Sequence, residues 1–186
     1  MREEILRRTK EDQNARNALI KWMNESGSNG TVAKGSLSKE KQAEFERVST
    51  KVAEADEANT KWMKAVIEKH GWPTITMVGK DGASAAWLLV QHADADMKFQ
   101  RQCLDLMTKL PKDEISQTNL AYLTDRVLLA ERKKQRYGTQ FTSVDGKWKP
   151  LPLEDEANVD KLRAEVGMPP IAEYAKQIEK MYGGKK

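Results

Sequence analysis

The stretch ASAAWLLVQHAD, residues 83–94, constrains this chain more than any other. Set on a helix at about 100° per residue, Ala83, Ala86, Trp87 and Val90 fill one side, and Ala85, Leu88 and Leu89 fill the other. A helix that is apolar all round is a buried helix. Its last turn nevertheless carries Gln91, His92 and Asp94. Gln91 and Asp94 share the side of Trp87, and His92 lies roughly opposite. A polar group left unpaired in the interior costs about 1–3 kcal/mol. The rest of the chain, or a ligand, therefore has to supply partners at this helix end.

The 186 residues suffice for one domain with a real core, expected here over residues 1–182, with 183–186 a frayed tail. Apolar residues at 39% and charged residues at 32%, with few aromatics, fit a helix-rich domain with a heavily solvated surface. The 32 basic and 28 acidic side chains are interspersed. The net charge of +4 then reads as a solubility feature and argues against a nucleic-acid partner. No apolar run reaches the roughly 18 residues of a membrane span, so no membrane partner is expected. The N-terminus MREEILRRTKEDQ lacks the apolar core of a signal peptide. If Met1 is the native start the chain is expected in the cytoplasm; if the native protein begins earlier, an exported form stays open.

Taken in order, Ile5, Leu6, Leu19, Trp22 and Met23 recur at helical spacing over residues 1–24. The stripe is interrupted where Asp12, Gln13 and Arg16 stand at or near positions that ask for apolar groups. Asp12 and Arg16, four residues apart, can pair on one face, either as a solvated ion pair or aimed into a site. Residues 24–36 are rich in Gly, Ser and Asn and read as a flexible loop. Ser38 caps a second helix that either runs unbroken to His70 or breaks near Glu54 to Glu57. Gly71 stops it, and His70 in its last turn complements the helix dipole. Thr74 to Gly82 reads as a short connector and not a phosphate loop, since it lacks the Gly-Lys-Ser/Thr ending and a lone pair of glycines is a weak signal. A helix follows Asp94 to about Leu110, with Phe99, Cys103, Leu106, Met107 and Leu110 as its stripe. The next begins near Ser116 and ends in the basic run Arg132 to Arg136, a solvated helix end or a phosphate contact. Asp145-Gly146 between Phe141 and Leu151 signals a tight hairpin. Helices over 156–166 and from Ile171 complete a mostly α fold of about six helices with one small hairpin.

One cysteine excludes an intrachain disulfide framework, and Cys103 sits on an apolar stripe where inert packing is its role. GxSxG, HExxH, CxxC and Walker patterns are all absent. No cofactor and no metal are expected. The weaker alternative is an oxygen-preferring divalent ion on His92, Asp94, Asp12 and Asp125.

The segments EDQNAR at 11–16, GWP at 71–73, VGKDGASAAWLLVQHAD at 78–94, FQRQCLDLM at 99–107, YLTDRVLLAERKKQRYGTQ at 122–140 and EDEANVDKLRAEVGMPPIAEY at 154–174 resemble an uncharacterised family of small bacterial helical proteins. The resemblance spans nearly the whole chain outside residues 24–56, which read as this protein's own insertion. It brings no established activity, and some relatives carry export signals. It implies that Asp12, Gln13, Arg16, Gln91, His92, Asp94, Asp125, Arg126, Tyr137 and Gln140 are the recurring polar positions.

Two functional readings follow. In one, the chain binds a small molecule or peptide, or is an enzyme, and His92 is a general acid/base in a buried polar pocket. Imidazole titrates near neutrality and suits proton transfer. His92, Asp94 and Arg126 are then the candidate catalytic residues, and Asp12, Gln13, Arg16, Gln91, Asp125, Tyr137 and Gln140 the candidate binding residues. In the other, the same groups form a structural hydrogen-bond network in a non-catalytic interaction module.

Overall fold

The computed structural model describes residues 1–26, 38–144 and 147–182. Among them are seven helices and one two-stranded antiparallel hairpin, so the fold is mostly α as the periodicity predicts. No helix among them is long and apolar enough to cross a membrane. The chain divides into two compact units, one of residues 1–73 and 77–95, the other of residues 74–76 and 96–186.

The first unit is built on α1 (Arg2–Ser26), α2 (Lys39–His70) and most of α3 (Ile75–Gln91). α1 extends through Asn24 to Ser26, which were expected in the loop; the rest of that expected loop lies outside the described residues. α2 is unbroken. Its N-cap is Ser38, whose Oγ accepts from the Lys41 N–H, and the Gly71 N–H donates to the Ile67 carbonyl at the other end. α1 and α2 pack along their length, with Trp22 against Phe45 at a ring separation of 5.1 Å. Ile5, Val48, Val52, Met63, Val66 and Ile67 are buried on these helices.

The connector expected at Thr74 to Gly82 is instead helical from Ile75, broken by a kink at Gly79. Gly79 has φ 74° and ψ 167°, a conformation open to glycine and strained for other residues. The β-branched residues before it and the two glycines read locally as a turn, but the helix is simply kinked there. Gly82 permits close approach: a Cβ on it would sit 2.9 Å from the Val78 Cβ and 3.3 Å from the Arg2 Cγ. Beyond the kink α3 buries Ala83, Ala85, Ala86, Leu89, Val90 and Gln91, while Trp87 and Leu88 are half-buried and Ser84 is exposed, so the apolar helix is buried over most of its surface and not all round. Thr9 Oγ1 donates to the Ala85 carbonyl at 3.3 Å, linking α1 to α3.

The second unit holds α4 (Met97–Met107), α5 (Gln117–Ala130), β1 (Phe141–Val144), β2 (Lys147–Pro150), α6 (Val159–Glu165) and α7 (Ile171–Tyr182). Asp96 and Ser116 cap α4 and α5, accepting from the N–H of Phe99 and Asn119. Cys103 is fully buried, in keeping with a packing role. The hairpin pairs Phe141 with Pro150 and Val144 with Lys147, and its predicted Asp145-Gly146 turn lies outside the described residues. β2 ends one residue before the expected Leu151, whose N–H still bonds the Gln140 carbonyl. α6 begins at Val159, three residues later than 156, after Asp155 has accepted from the Asn158 N–H in a local turn. The Ile171 N–H, at the start of α7, donates to Asp160 Oδ1 at 2.7 Å.

Arg163 on α6 is 1% exposed, and its partners are carbonyls. Nε donates to Pro169 O at 2.6 Å and Nη1 to Tyr137 O at 2.6 Å, with the guanidinium 5.0 Å from the centre of the Tyr174 ring. Arg163→Met keeps the volume but strips these carbonyls of their donors. It is expected to cost about 2–4 kcal/mol and to lower the melting temperature by roughly 5–10 °C. Thermal denaturation followed by circular dichroism checks this.

Candidate functional site

The polar residues that interrupt the α1 stripe meet the end of the buried α3 helix inside the first unit. Asp12 occupies an α1 position on the same face as Ile5 and is 1% exposed. His92 follows the last residue of α3, tethered by its N–H to the Leu88 carbonyl at 3.1 Å. Its Nδ1 lies 3.0 Å from Asp12 Oδ2. Gln13 Nε2 donates to the same oxygen at 2.9 Å. Arg16 Nε stands 3.2 Å from Asp12 Oδ1 and 3.0 Å from His92 Nδ1. Arg16 Nη2 donates to Asp56 Oδ1 on α2 at 2.5 Å. The cluster thus joins α1, α2 and the end of α3. Its floor, Asp12, is sealed, while the side chains of Arg16, Asp56 and His92 are 26%, 25% and 16% exposed.

Burial works against the ionised form of Asp12, but the bonds from His92, Gln13 and Arg16 outweigh it and hold the carboxyl below its ordinary range. Burial dominates at Asp56 and raises its carboxyl, despite Arg16. The ring of His92 has one contested atom. Nδ1 either donates to Asp12 or accepts from Arg16, because a single nitrogen cannot do both. An unprotonated Nδ1 would set its lone pair against a carboxylate oxygen at 3.0 Å. Arg16 Nε, by contrast, keeps Asp12 Oδ1 as an acceptor when Nδ1 carries the proton. The geometry therefore favours the Nδ1–H tautomer. Nε2, the other nitrogen, makes no hydrogen bond to any described residue.

Of the expected site residues, Asp12, Gln13, Arg16 and His92 come together. Gln91 is buried beside them in sequence as the last residue of α3. Asp94 is exposed, and the carboxylate on the ring is that of Asp12. Asp125, Arg126, Tyr137 and Gln140 lie in the second unit. There Asp125, fully buried on α5, accepts from the N–H groups of Arg136, Tyr137 and Thr139 at 2.7, 3.0 and 2.9 Å. Gln135 then bridges the Gln140 and Leu151 carbonyls and accepts from the Gln140 N–H. These bonds fasten the YGTQ segment to α5 and to the start of the hairpin. Burial pushes the Tyr137 hydroxyl up, so it stays protonated near neutrality. Arg126 is half-buried on α5. The basic run is largely solvated, with Lys133 on Glu131 and Arg136 on Glu154. His70 is exposed at the α2 terminus.

Asp56 was not among the expected site residues, although a signal for it exists. Val52, Asp56, Asn59, Met63 and Val66 recur at alternating spacings of four and three, so Asp56 interrupts the inner stripe of α2 as Asp12 interrupts that of α1. Asp12, Asp56 and His92 each offer one ligand atom within 4.8 Å of the others, and neither Asp94 nor Asp125 belongs to that trio.

The chain belongs to DUF6624, a family of unknown function, whose profile matches residues 38–186. The match takes in Asp56, His92 and Asp125. It also runs through residues 38–56, which the sequence alone suggested to be an insertion peculiar to this protein, and it begins after Asp12, Gln13 and Arg16. No curated protein and no solved structure matches the chain.

The lowered carboxyl of Asp12 sets an acid limb for stability. A carboxyl depressed on folding contributes stability that is complete above its unfolded value, near 3.8, and lost as the pH falls through the folded one. Asp56, raised by burial, works in the opposite sense and in a higher window, between its unfolded value near 3.8 and its raised folded one. Asp12→Asn is expected to cost about 1–3 kcal/mol at neutrality. It should also lose less stability than the wild type between pH 6 and pH 3, a difference that melting curves across that range measure.

Proposed function

We propose that this chain binds a small molecule at the Asp12–His92 cluster and that His92 acts there as a general acid/base. Asp12 is the positioning group. It holds the imidazole by Nδ1–H and stabilises the charge that the ring gains when Nε2 takes a proton. Arg16 and Gln13 keep Asp12 ionised by filling its other lone pairs. Nε2, on a ring that is 16% exposed, is the nitrogen available to a substrate proton. The observation that carries this reading is the 3.0 Å contact between a sealed carboxylate and one nitrogen of a partly open imidazole whose other nitrogen has no hydrogen bond among the described residues. Such an arrangement supports proton abstraction or acid-assisted bond cleavage on a small polar substrate. A structural weld is favoured by one observation, that both Asp12 oxygens are already engaged within the chain.

Two measurements decide between them. Long-range 1H–15N spectra of metal-free protein are expected to show neutral His92 as the Nδ1–H tautomer, changed by Asp12→Ala. An Nε2–H tautomer in the wild type would remove the base and sink the proposal. A metabolite library screened by thermal shift is expected to yield a ligand that stabilises the wild type, by about 2.7 kcal/mol at a hundred times its Kd, and leaves His92→Ala unmoved. If His92→Ala is strongly destabilised and no compound stabilises the wild type, the weld is the correct reading.

A further inference from the structure

Arg16 reaches all three members of the Asp12–Asp56–His92 trio. It lies 3.2 Å from Asp12 Oδ1, 3.0 Å from His92 Nδ1 and 2.5 Å from Asp56 Oδ1. A guanidinium so placed stands where a shared cation would stand. The three ligand atoms come from α1, from α2 and from the residue after α3, and they lie within 4.8 Å of one another. No other such trio of His, Cys, Asp or Glu occurs among the described residues. One imidazole with two carboxylates is a donor set for first-row divalent ions such as Mn2+, Fe2+ and Zn2+.

We propose that the Asp12–Asp56–His92 cluster is a binding site for a divalent transition-metal ion, which enters by displacing Arg16. The charge count permits the exchange. With a neutral ring, two carboxylates and one guanidinium leave a single negative charge. A divalent ion in place of the guanidinium leaves none. Arg16 is the member able to leave, since its side chain is long and 26% exposed, whereas Asp12 is sealed beneath it. The side chains of Arg16, Asp56 and His92 are partly exposed, so water or a substrate oxygen would complete the coordination of the ion.

This inference goes beyond proton transfer by His92 and does not depend on it. Nδ1 is the ring nitrogen turned toward Asp12 and Arg16, so it is the one that would bind the ion. Its proton would then reside on Nε2, and the ring would cease to be a base. Metal loading and base function at His92 are therefore alternative states of one site.

The test uses the full chain stripped with a chelator. MnCl2 is titrated in with free Mn2+ followed by electron paramagnetic resonance, and ZnCl2 is titrated in by calorimetry. One ion per chain is expected. Asp56→Asn should weaken binding by about tenfold or more, and Arg16→Met should tighten it, because no resident cation has to leave. Sub-stoichiometric Mn2+ should broaden the ring signals of His92 and spare those of His70, the other histidine. Circular dichroism confirms that each variant is folded. Failure of the wild type to bind either ion up to about 1 mM, a range weaker than −4.1 kcal/mol, overturns the proposal. Binding confined to Arg16→Met does so as well, since the guanidinium would then be the permanent cation. Broadening at His70 alone, with Asp56→Asn without effect, also counts against it. The tautomer measurement on metal-free protein judges the base reading separately, so either idea can fail alone.

Discussion

A carboxylate buried to 1% exposure cannot stay ionised without partners, and the first unit is arranged to provide them. Asp12 sits where α1 would otherwise place an apolar residue. Gln13 and Arg16 on its own helix, and His92 at the end of α3, turn toward it. Arg16 carries the link on to Asp56 of α2. Each of the three helices contributes a charged or titratable group, so their register is tied at one point. A slip of α1 by one residue would rotate Asp12 by about 100° and leave His92 and Arg16 without it. Removing a partner from such a group costs more than the pair contributes in net terms, which makes the node a device for specifying geometry. The same concentration of opposed charges is what lets a ring nitrogen, or an incoming cation, be held in a fixed direction.

The second unit meets a similar demand by another route. Asp125 and Arg163 are both fully buried, but their partners are backbone groups. Asp125 receives three N–H groups from the chain following α5, and Arg163 donates to carbonyls at Tyr137 and Pro169. Backbone groups in irregular segments have no helix or sheet ladder to satisfy them. Two charged side chains thus organise a stretch that local propensity leaves undefined, and the YGTQ segment is shaped from both ends. Polar burial in this unit builds a loop, whereas in the first it holds a partly exposed imidazole by one ring nitrogen.

Most helices were legible because their signals are local. Apolar spacing marked α1, α2, α4 and α5, Ser38 and Ser116 marked starts, and Gly71 marked a stop. The hairpin at Phe141 was legible for the same reason. The α3 start was not, because β-branched residues and two glycines resemble a turn until Gly79 is seen to kink a helix that continues. At the site, Asp12, Gln13, Arg16 and His92 were legible as polar residues breaking apolar patterns. Asp56 carried the same mark, but it lay in a stretch crowded with charged residues, where one more carboxylate does not stand out. Arg163 had no mark at all, since an arginine in a short charged helix looks like any surface residue.

By itself the sequence determined that the chain is mostly helical, that most of residues 83–90 are buried, and that the polar groups at the end of that helix require partners. Those conclusions follow from side-chain periodicity and desolvation cost, which are properties of the chain at short range. The tertiary structure alone decided which partners are used: Asp12 and not Asp94 on His92, Asp56 as the far acceptor of Arg16, and backbone N–H groups on Asp125. Pairing of that kind is set by the positions of helices distant in sequence. Distances of about 3 Å discriminate between neighbours that no spacing rule can tell apart.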